Sequence, residues 1–217
     1  MDYPETHAAR SRWIIGQRGL KNPLDPHRPY AWLLEKERAA DGSLVDGLTI
    51  FLTNKECPWR CLMCDLWQNT LDETVPAGAL SEQIDFALGQ TERECSDLTK
   101  LQQIKLYNAG SFFDAKAIPE TEDAAIAKRL AKFSRVIVEC HPALVGDRCL
   151  KFRDLLCGHL EIALGLETIP PEALKKLNKR VSLDQFRAAA NFVIKNNMSL
   201  RTFVLLQPPF IPTEESV

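Results

Sequence analysis

The sequence contains no run of apolar residues that approaches the ~20 needed to span a membrane as a helix. Residues 1–13 are polar and lack the apolar segment of an export signal. The formal net charge is only −2, so the chain shows no overall excess of the basic residues that mark nucleic-acid-binding domains. We therefore expect a cytoplasmic protein that does not bind membranes. A local basic patch remains compatible with this charge.

A disulfide framework is also not expected. The chain has seven cysteines among 217 residues, which is an odd and modest number. Because no export signal is visible, we expect reduced thiols in a cytoplasm. The hydrophobic content of 45% is sufficient for a sizeable core, and the length favours one domain.

Strand-like and helical segments alternate from residue 48 onwards, and no internal repeat or low-complexity segment is visible. The predicted strands cover residues 48–53, 104–108, 135–140, 160–165 and 201–206. The predicted helices cover residues 79–91, 119–133, 142–157, 171–177 and 183–197. Such alternation favours βαβ units and a parallel sheet with right-handed crossovers.

Residues 1–47 are predicted to form an extension that precedes a core of residues 48–217. A helix is predicted at 7–18. A strand at 30–36 and a turn at 40–43 predict a hairpin that leads into the first strand of the core.

The extension carries four basic residues, Arg10, Arg12, Arg18 and Lys21. We expect them to form a solvated face. The alternative is a basic arm that binds nucleic acid.

The last residues of the sequence indicate an unfinished unit. A proline-rich loop at 207–212 follows the fifth predicted strand. Thr213, Glu214 and Glu215 have the pattern of a helix N-cap and first turn, and the sequence ends two residues later at Val217. We therefore expect the sequence to be a fragment of a longer protein.

A cysteine-rich loop follows the first predicted strand of the core. Cys57, Cys61 and Cys64 are separated by three and by two residues. Thiolates are soft ligands that suit iron–sulfur clusters and zinc, and an iron–sulfur cube usually takes four of them. Three cysteines without a clear fourth would leave one iron of a cube open to a small molecule.

A structural zinc site is one alternative, and burial of these cysteines as small apolar side chains is another. Structural zinc takes four ligands, commonly in two pairs. The other candidate ligands, Cys95, Cys140 and His141, lie far from the loop in the sequence. Spacing therefore favours an iron–sulfur cluster.

A second cluster would need Cys140, Cys149 and Cys157, whose spacing fits no known pattern. Cys149 and Cys157 lie eight residues apart on a predicted helix. We expect both to be buried on one face of that helix.

The cysteine spacing after a first strand resembles that of radical S-adenosylmethionine (SAM) enzymes. The resemblance covers residues 48–206 and implies a partial (β/α)6 barrel, truncated here after the fifth strand. It also implies a 4Fe–4S cluster on Cys57, Cys61 and Cys64, with SAM bound to the open iron. An electron from such a cluster cleaves SAM to methionine and a 5'-deoxyadenosyl radical, and this chemistry belongs to the cofactors.

Within this superfamily, one Elongator-like branch is the most similar. The similar segments are NKECPWRCLMCDLW, YNAGSFFD, GLET and LNKR. That branch includes the radical SAM subunit of archaeosine synthase, which modifies tRNA. The resemblance therefore implies a tRNA nucleoside as substrate and a flavodoxin- or ferredoxin-type protein as electron donor.

The resemblance places SAM contacts after the predicted strands, because ligands lie at the carboxyl ends of strands in parallel α/β folds. The turn Ala109-Gly110-Ser111 resembles a family motif but lacks its acidic third residue, so backbone carbonyls and the Ser111 hydroxyl would bind the SAM amino group. Glu139 matches a carboxylate that accepts ribose hydroxyls, and Lys179 or Arg180 would pair with the SAM carboxylate. The full set is Met63, Ala109, Gly110, Ser111, Glu139, Glu167, Lys179 and Arg180.

Two other functions are compatible with these residues. An iron–sulfur electron-transfer or sensing protein would keep the cysteines but would have no use for Glu139 and Glu167. A zinc-stabilised scaffold or RNA-binding module would need neither a cluster nor SAM.

Overall fold

A computed structural model describes residues 3–39, 41–94 and 100–215. Its strands are β1 Ala31–Arg38, β2 Leu44–Leu52, β3 Asn54–Lys55, β4 Thr70–Leu71, β5 Gln103–Asn108, β6 Arg135–Cys140, β7 His159–Glu167 and β8 Ser199–Val204. Its helices are α1 His7–Gly16, α2 Ala79–Glu94, α3 Asp123–Arg129, α4 Asp147–Leu155, α5 Pro171–Lys176 and α6 Leu183–Lys195. Short 3-10 turns lie at Leu66–Asn69, Glu120–Glu122, Pro142–Leu144 and Thr213–Glu215. None of the helices in these three ranges is long and apolar enough to cross a membrane.

Six strands form one sheet in the order β1-β2-β5-β6-β7-β8. Strands β2, β5, β6, β7 and β8 run parallel, whereas β1 pairs antiparallel with β2. Helices follow β2, β5, β6 and β7 along the chain. The prediction of parallel strands separated by helices is confirmed, and so is the hairpin before them. Residue 40 of its turn lies outside the described residues, as does Cys95.

Side chains from the two edge strands of the sheet meet each other. The sheet therefore curls into an open, partial barrel. Arg201 of β8 forms an ion pair with Glu37 of β1. Arg201 also donates a hydrogen bond of 2.6 Å to Glu161, and Lys105 lies 2.6 Å from Glu37. These paired charges form a layer that fills the amino-terminal end of the barrel interior.

A layer of aromatic rings lies above the charged layer. The ring of Tyr107 lies between those of Phe51 and Phe203, with centroid distances of 6.1 Å to each. Alternate residues of the same strands face outward, as the pleat requires. Those residues pack against the helices in a core that includes Leu106, Val138, Ile162, Ile84, Ile126 and Phe152. Burial of one such side chain contributes about 1.5–3 kcal/mol.

The helix predicted for residues 142–157 is interrupted and shorter than expected. A 3-10 turn at Pro142–Leu144 precedes Gly146, and α4 ends at Leu155. Cys149 is buried, whereas Cys157 lies beyond the helix and is exposed. The expectation that both cysteines are buried on one face is therefore wrong, because the helix ends before Cys157.

The basic residues of the N-terminal extension do not form a common solvated face. Arg10 is only 5% exposed and donates hydrogen bonds to backbone carbonyls of the same segment. Arg18 and Lys21 both pair with Glu56, at 2.7 and 3.1 Å, and Arg12 is exposed. Partners within the protein thus occupy most of the charge that a nucleic-acid-binding arm would use. The division of the chain at residue 47 stays a prediction.

Candidate cofactor and active site

A cavity of about 370 Å³ opens at the carboxyl-terminal end of the partial barrel, above the aromatic layer. The residues on its wall come from the cysteine loop, from the ends of β5, β6 and β7, and from the turn after α5. They include Cys57, Trp59, Cys61, Met63, Cys64, Gly110, Glu139, His141, Gly165, Glu167 and Lys179. The structure therefore brings the three cysteines together with several of the residues predicted from the sequence.

Two very short strands close the base of the cysteine loop. β3 and β4 pair in parallel, with Asn54 opposite Thr70. The backbone N–H of Leu62 donates a 2.9 Å hydrogen bond to the carbonyl of Leu177. The loop is thus fixed both to itself and to the segment after β7. Sequence analysis missed this pair of strands because two residues are too few to show alternation.

The three thiols are half-buried on the cavity wall. Burial raises the pKa of Cys57 to about 11 and that of Cys61 to about 12, and it also raises the pKa of Cys64. These thiols hold their protons at neutral pH in the metal-free protein. Because thiolates are the metal ligands, loading of a metal has to release protons.

The residues present offer three thiol ligands to an iron–sulfur cube, and the other candidate ligands Cys140 and His141 lie on the same cavity wall. In the ranges that the structure describes, no three or more His, Cys, Asp or Glu side chains are grouped as ligands of one metal ion. A cube needs no such grouping, because each thiolate binds a different iron. Gly110 completes the site, since its φ is +123° and an added Cβ would overlap the Cβ of Cys57.

An ion pair crosses the cavity at the end of β7. The Nζ of Lys179 donates to a carboxylate oxygen of Glu167, and both side chains are about one-tenth exposed. Gly165 lies beneath the pair, where an added Cβ would overlap the Lys179 ammonium. The cavity therefore contains both a positive and a negative group within a confined space.

The carboxyl group of Glu139 faces the same cavity from the end of β6. Burial raises its pKa from an ordinary 4.5 to about 8, although the Lys179 ammonium and the Asn108 backbone N–H act in the opposite direction. The group is thus poised to change protonation when a charged ligand binds nearby.

Only part of the turn after β5 reaches the cavity. Gly110 lies on the cavity wall, but Ala109 and Ser111 are buried behind it, at 3% and 0% exposure. The Ala109 carbonyl accepts a 3.3 Å hydrogen bond from Asn54. The Ser111 hydroxyl lies within hydrogen-bonding reach of the buried Cys140 thiol. The geometry does not bring Ala109 or Ser111 to the cavity wall.

The structure distinguishes Lys179 from Arg180. Lys179 faces the cavity with the cysteines, whereas Arg180 is exposed and lines a separate cavity of about 780 Å³ with Arg10 and Asn178. Arg180 has a φ of +63°, in the left-handed region that few non-glycine residues adopt. That turn of the backbone directs the two neighbouring side chains to opposite sides.

Two rings on the cavity wall, those of Trp59 and His141, are absent from the predicted set of SAM contacts. Trp59 stacks on His141 with a centroid distance of 3.9 Å and an interplanar angle of 13°. The residues lie far apart in the sequence, so only the fold reveals their contact. The sequence alone marks His141 only as a candidate zinc ligand.

No family model matches the chain. Three curated proteins are similar in sequence. An uncharacterised protein of Methanocaldococcus jannaschii is 26% identical over 202 residues, which cover 89% of this chain and 55% of that protein. Archaeosine synthase subunit beta of Methanosarcina acetivorans is 25% identical and covers 82% of this chain and 53% of its own length. Hopanoid C-3 methylase of Methylococcus capsulatus is 23% identical, over a match that covers 88% of this chain and 35% of that protein.

The chain spans about half the length of the first two of these relatives. Two solved structures share its fold. The cobalamin-dependent SAM radical enzyme OxsB has a TM-score of 0.54 at 15% identity, covering 76% of this chain and 25% of that one. A queuine lyase from Clostridium spiroforme has a TM-score of 0.50 at 15% identity, covering 84% and 85%.

The cysteine loop leads into a cavity at the carboxyl ends of parallel strands. In sequence and in fold, the chain is therefore similar to radical SAM enzymes.

Proposed function

We propose that this chain holds a 4Fe–4S cluster on Cys57, Cys61 and Cys64 and binds SAM beside it, as a radical SAM enzyme. One observation carries the proposal: the three thiols share a single cavity with a lysine and three carboxyl groups, at the strand ends where α/β enzymes bind ligands. When bound, the cluster would supply the electron that cleaves SAM to methionine and a 5'-deoxyadenosyl radical.

The side chains opposite the thiols suit the two ends of SAM. Lys179 presents an ammonium that can pair with the amino acid carboxylate, in place of its present pairing with Glu167. Glu139 presents oxygens to the ribose hydroxyls. Met63 lies on the same wall, where a thioether packs well against an aromatic base. These assignments support SAM binding and disfavour a protein that merely stores electrons.

Radical chemistry requires the exclusion of water, and the aromatic layer meets that requirement from below. Phe51, Tyr107 and Phe203 separate the cavity from the charged layer at the other end of the barrel. Trp59 covers part of the cavity wall beside Cys57. A hydrogen atom of the substrate would therefore be abstracted in a largely apolar space.

For the substrate we propose a tRNA nucleoside in a cytoplasmic protein. The support is the relationship to archaeosine synthase subunit beta and the shared fold with a queuine lyase bound to SAM and queuine. The hopanoid methylase among the relatives is a reminder that fold and family do not determine a substrate. A flavodoxin- or ferredoxin-type protein would supply the electron.

The decisive experiment is anaerobic reconstitution followed by titration with SAM. We expect about four irons per chain and a change in the electron paramagnetic resonance spectrum of the reduced cluster when SAM is added. A cluster whose spectrum does not change when SAM is added would favour an electron-transfer or sensing protein. Bound zinc without iron would favour the scaffold.

A further inference from the structure

His141 occupies a position that none of the assignments above explains. It directly follows β6 and is only 5% exposed. It lies on the wall of the cavity, between the cysteine loop and the turn that carries Lys179.

One contact of His141 is with the cysteine loop. Its ring stacks on that of Trp59, which stands between Cys57 and Cys61 in the sequence. Stacked rings at 3.9 Å and 13° restrict both the position and the tilt of the indole. The backbone of the loop between the two cysteines is restricted with it.

The other contacts of His141 are hydrogen bonds. Its Nδ1 accepts from the backbone N–H of Ala143 at 3.2 Å, so the ring proton resides on Nε2. The Nε2–H then donates to the backbone carbonyl of Lys179 at 3.0 Å. Burial lowers the pKa of His141 to about 4, so this neutral tautomer persists at physiological pH.

We propose that His141 is a positioning residue that couples the cysteine loop to the Lys179 turn. One face of its ring fixes Trp59, and one edge fixes the carbonyl of Lys179. The benefit for cluster and SAM binding rests on the proposed function. The coupling itself is a property of the polypeptide and can be measured without cofactors.

Two substitutions separate the two contacts. His141→Phe keeps a ring to stack on Trp59 but removes the donor to Lys179. His141→Gln keeps an N–H donor but removes the ring. His159→Phe is the matched control, because that half-buried histidine bonds to Ser199 at 2.8 Å at the other end of the barrel.

The first measurement is amide hydrogen exchange of the metal-free variants. We expect His141→Phe to raise exchange at residues 179–181 by about tenfold, the size that loss of one hydrogen bond gives. We expect His141→Gln to raise exchange mainly at residues 57–64. Trp59→Leu should in turn raise exchange at 179–181, across the contact, and this transmitted effect is what distinguishes coupling from local packing.

The second measurement uses reconstituted protein. His141→Phe should keep its iron but bind SAM about tenfold more weakly, whereas His141→Gln should lose iron faster to a chelator. Exchange in both segments equal to that of His159→Phe would overturn the proposal, as would a uniform rise across the molecule. If the unmodified protein takes up no iron, the proposed function fails, while the exchange data still decide the coupling.

Discussion

Lys179 and Glu167 neutralise each other inside the cavity that the three cysteines line. Each charge offsets the desolvation penalty of the other, since a lone ammonium or carboxylate buried at this position would destabilise the folded state. It also sets a condition on any anionic ligand, which has to compete with Glu167 for the lysine.

The first prediction concerns this lysine. Lys179→Met should weaken SAM binding by at least about tenfold, because removal of an ionic hydrogen bond costs about 1.5–3 kcal/mol. Arg180→Met is the matched control and should bind SAM as the unmodified protein does, since Arg180 lines the other cavity. Calorimetric titration of reconstituted protein provides the comparison. Equal losses in both variants would contradict the division of roles between these neighbours.

The second prediction concerns pH and Glu139. The folded protein retains the Glu139 proton up to about pH 8, whereas the unfolded chain releases it near pH 4.5. The folded state therefore binds more protons between these values, and the free energy of unfolding falls as pH rises through that window. Glu139→Gln should remove this pH dependence. The free energy of unfolding of the variant should therefore exceed that of the unmodified protein by an amount that grows with pH, to a few kcal/mol at most.

Denaturant unfolding of the metal-free protein at several pH values tests this, with Glu172→Gln on the exposed surface as control. The same Glu139→Gln variant should keep its iron yet bind SAM about tenfold more weakly. A variant with an unchanged pH profile and unchanged SAM affinity would show that Glu139 only terminates its strand.

The third prediction concerns the cysteines. Replacement of Cys57, Cys61 or Cys64 by Ala should abolish cluster assembly, because each would ligate its own iron. Replacement of the exposed Cys157 should leave the iron content unchanged, and Cys149→Ala should affect packing alone. Iron analysis and absorption spectra suffice. Loss of iron in the Cys149 variant with an unaltered melting temperature would point to a different set of ligands.

The fourth prediction concerns closure of the barrel. Arg201 links β8 to Glu37 of β1 and to the buried Glu161. Arg201→Leu should destabilise the protein by about 3 kcal/mol, because it leaves the buried Glu161 carboxylate and the half-buried Glu37 carboxylate with fewer partners. Arg187→Leu removes an exposed ion pair with Asp184 and should change stability by less than about 0.5 kcal/mol. Thermal melts of the two variants should differ accordingly.

The spacing of apolar residues and the positions of proline and glycine were enough to predict most of the fold. The strand predicted at residues 135–140 has the same bounds as β6, because Pro142 stops the extended segment shortly after Cys140. The cysteine loop was equally accessible, because its spacing is local. The break before α4 was missed because 3-10 and α-helical turns share similar short-range patterns at Pro142–Leu144.

The site was predictable only as far as strand ends determine it. The position of Glu139 followed from the end of β6. The burial of Ser111 and the outward turn of Arg180 depend on backbone angles that no residue pattern specifies. The stacking of Trp59 on His141 joins segments that only tertiary folding brings together.

The cavity owes its shape partly to side chains that are missing from its wall. Gly110 touches Cys57 so closely that no methyl group fits, and at Gly165 the same space holds the Lys179 ammonium. Gly89 in α2, by contrast, faces open space. In a library that randomises these positions, selection for function should therefore return only glycine at 110, and at 165 it should disfavour side chains that displace the Lys179 ammonium. Position 89 should accept alanine and many other residues. The range of residues accepted at each glycine would therefore indicate how closely the backbone approaches the side chains of the cavity.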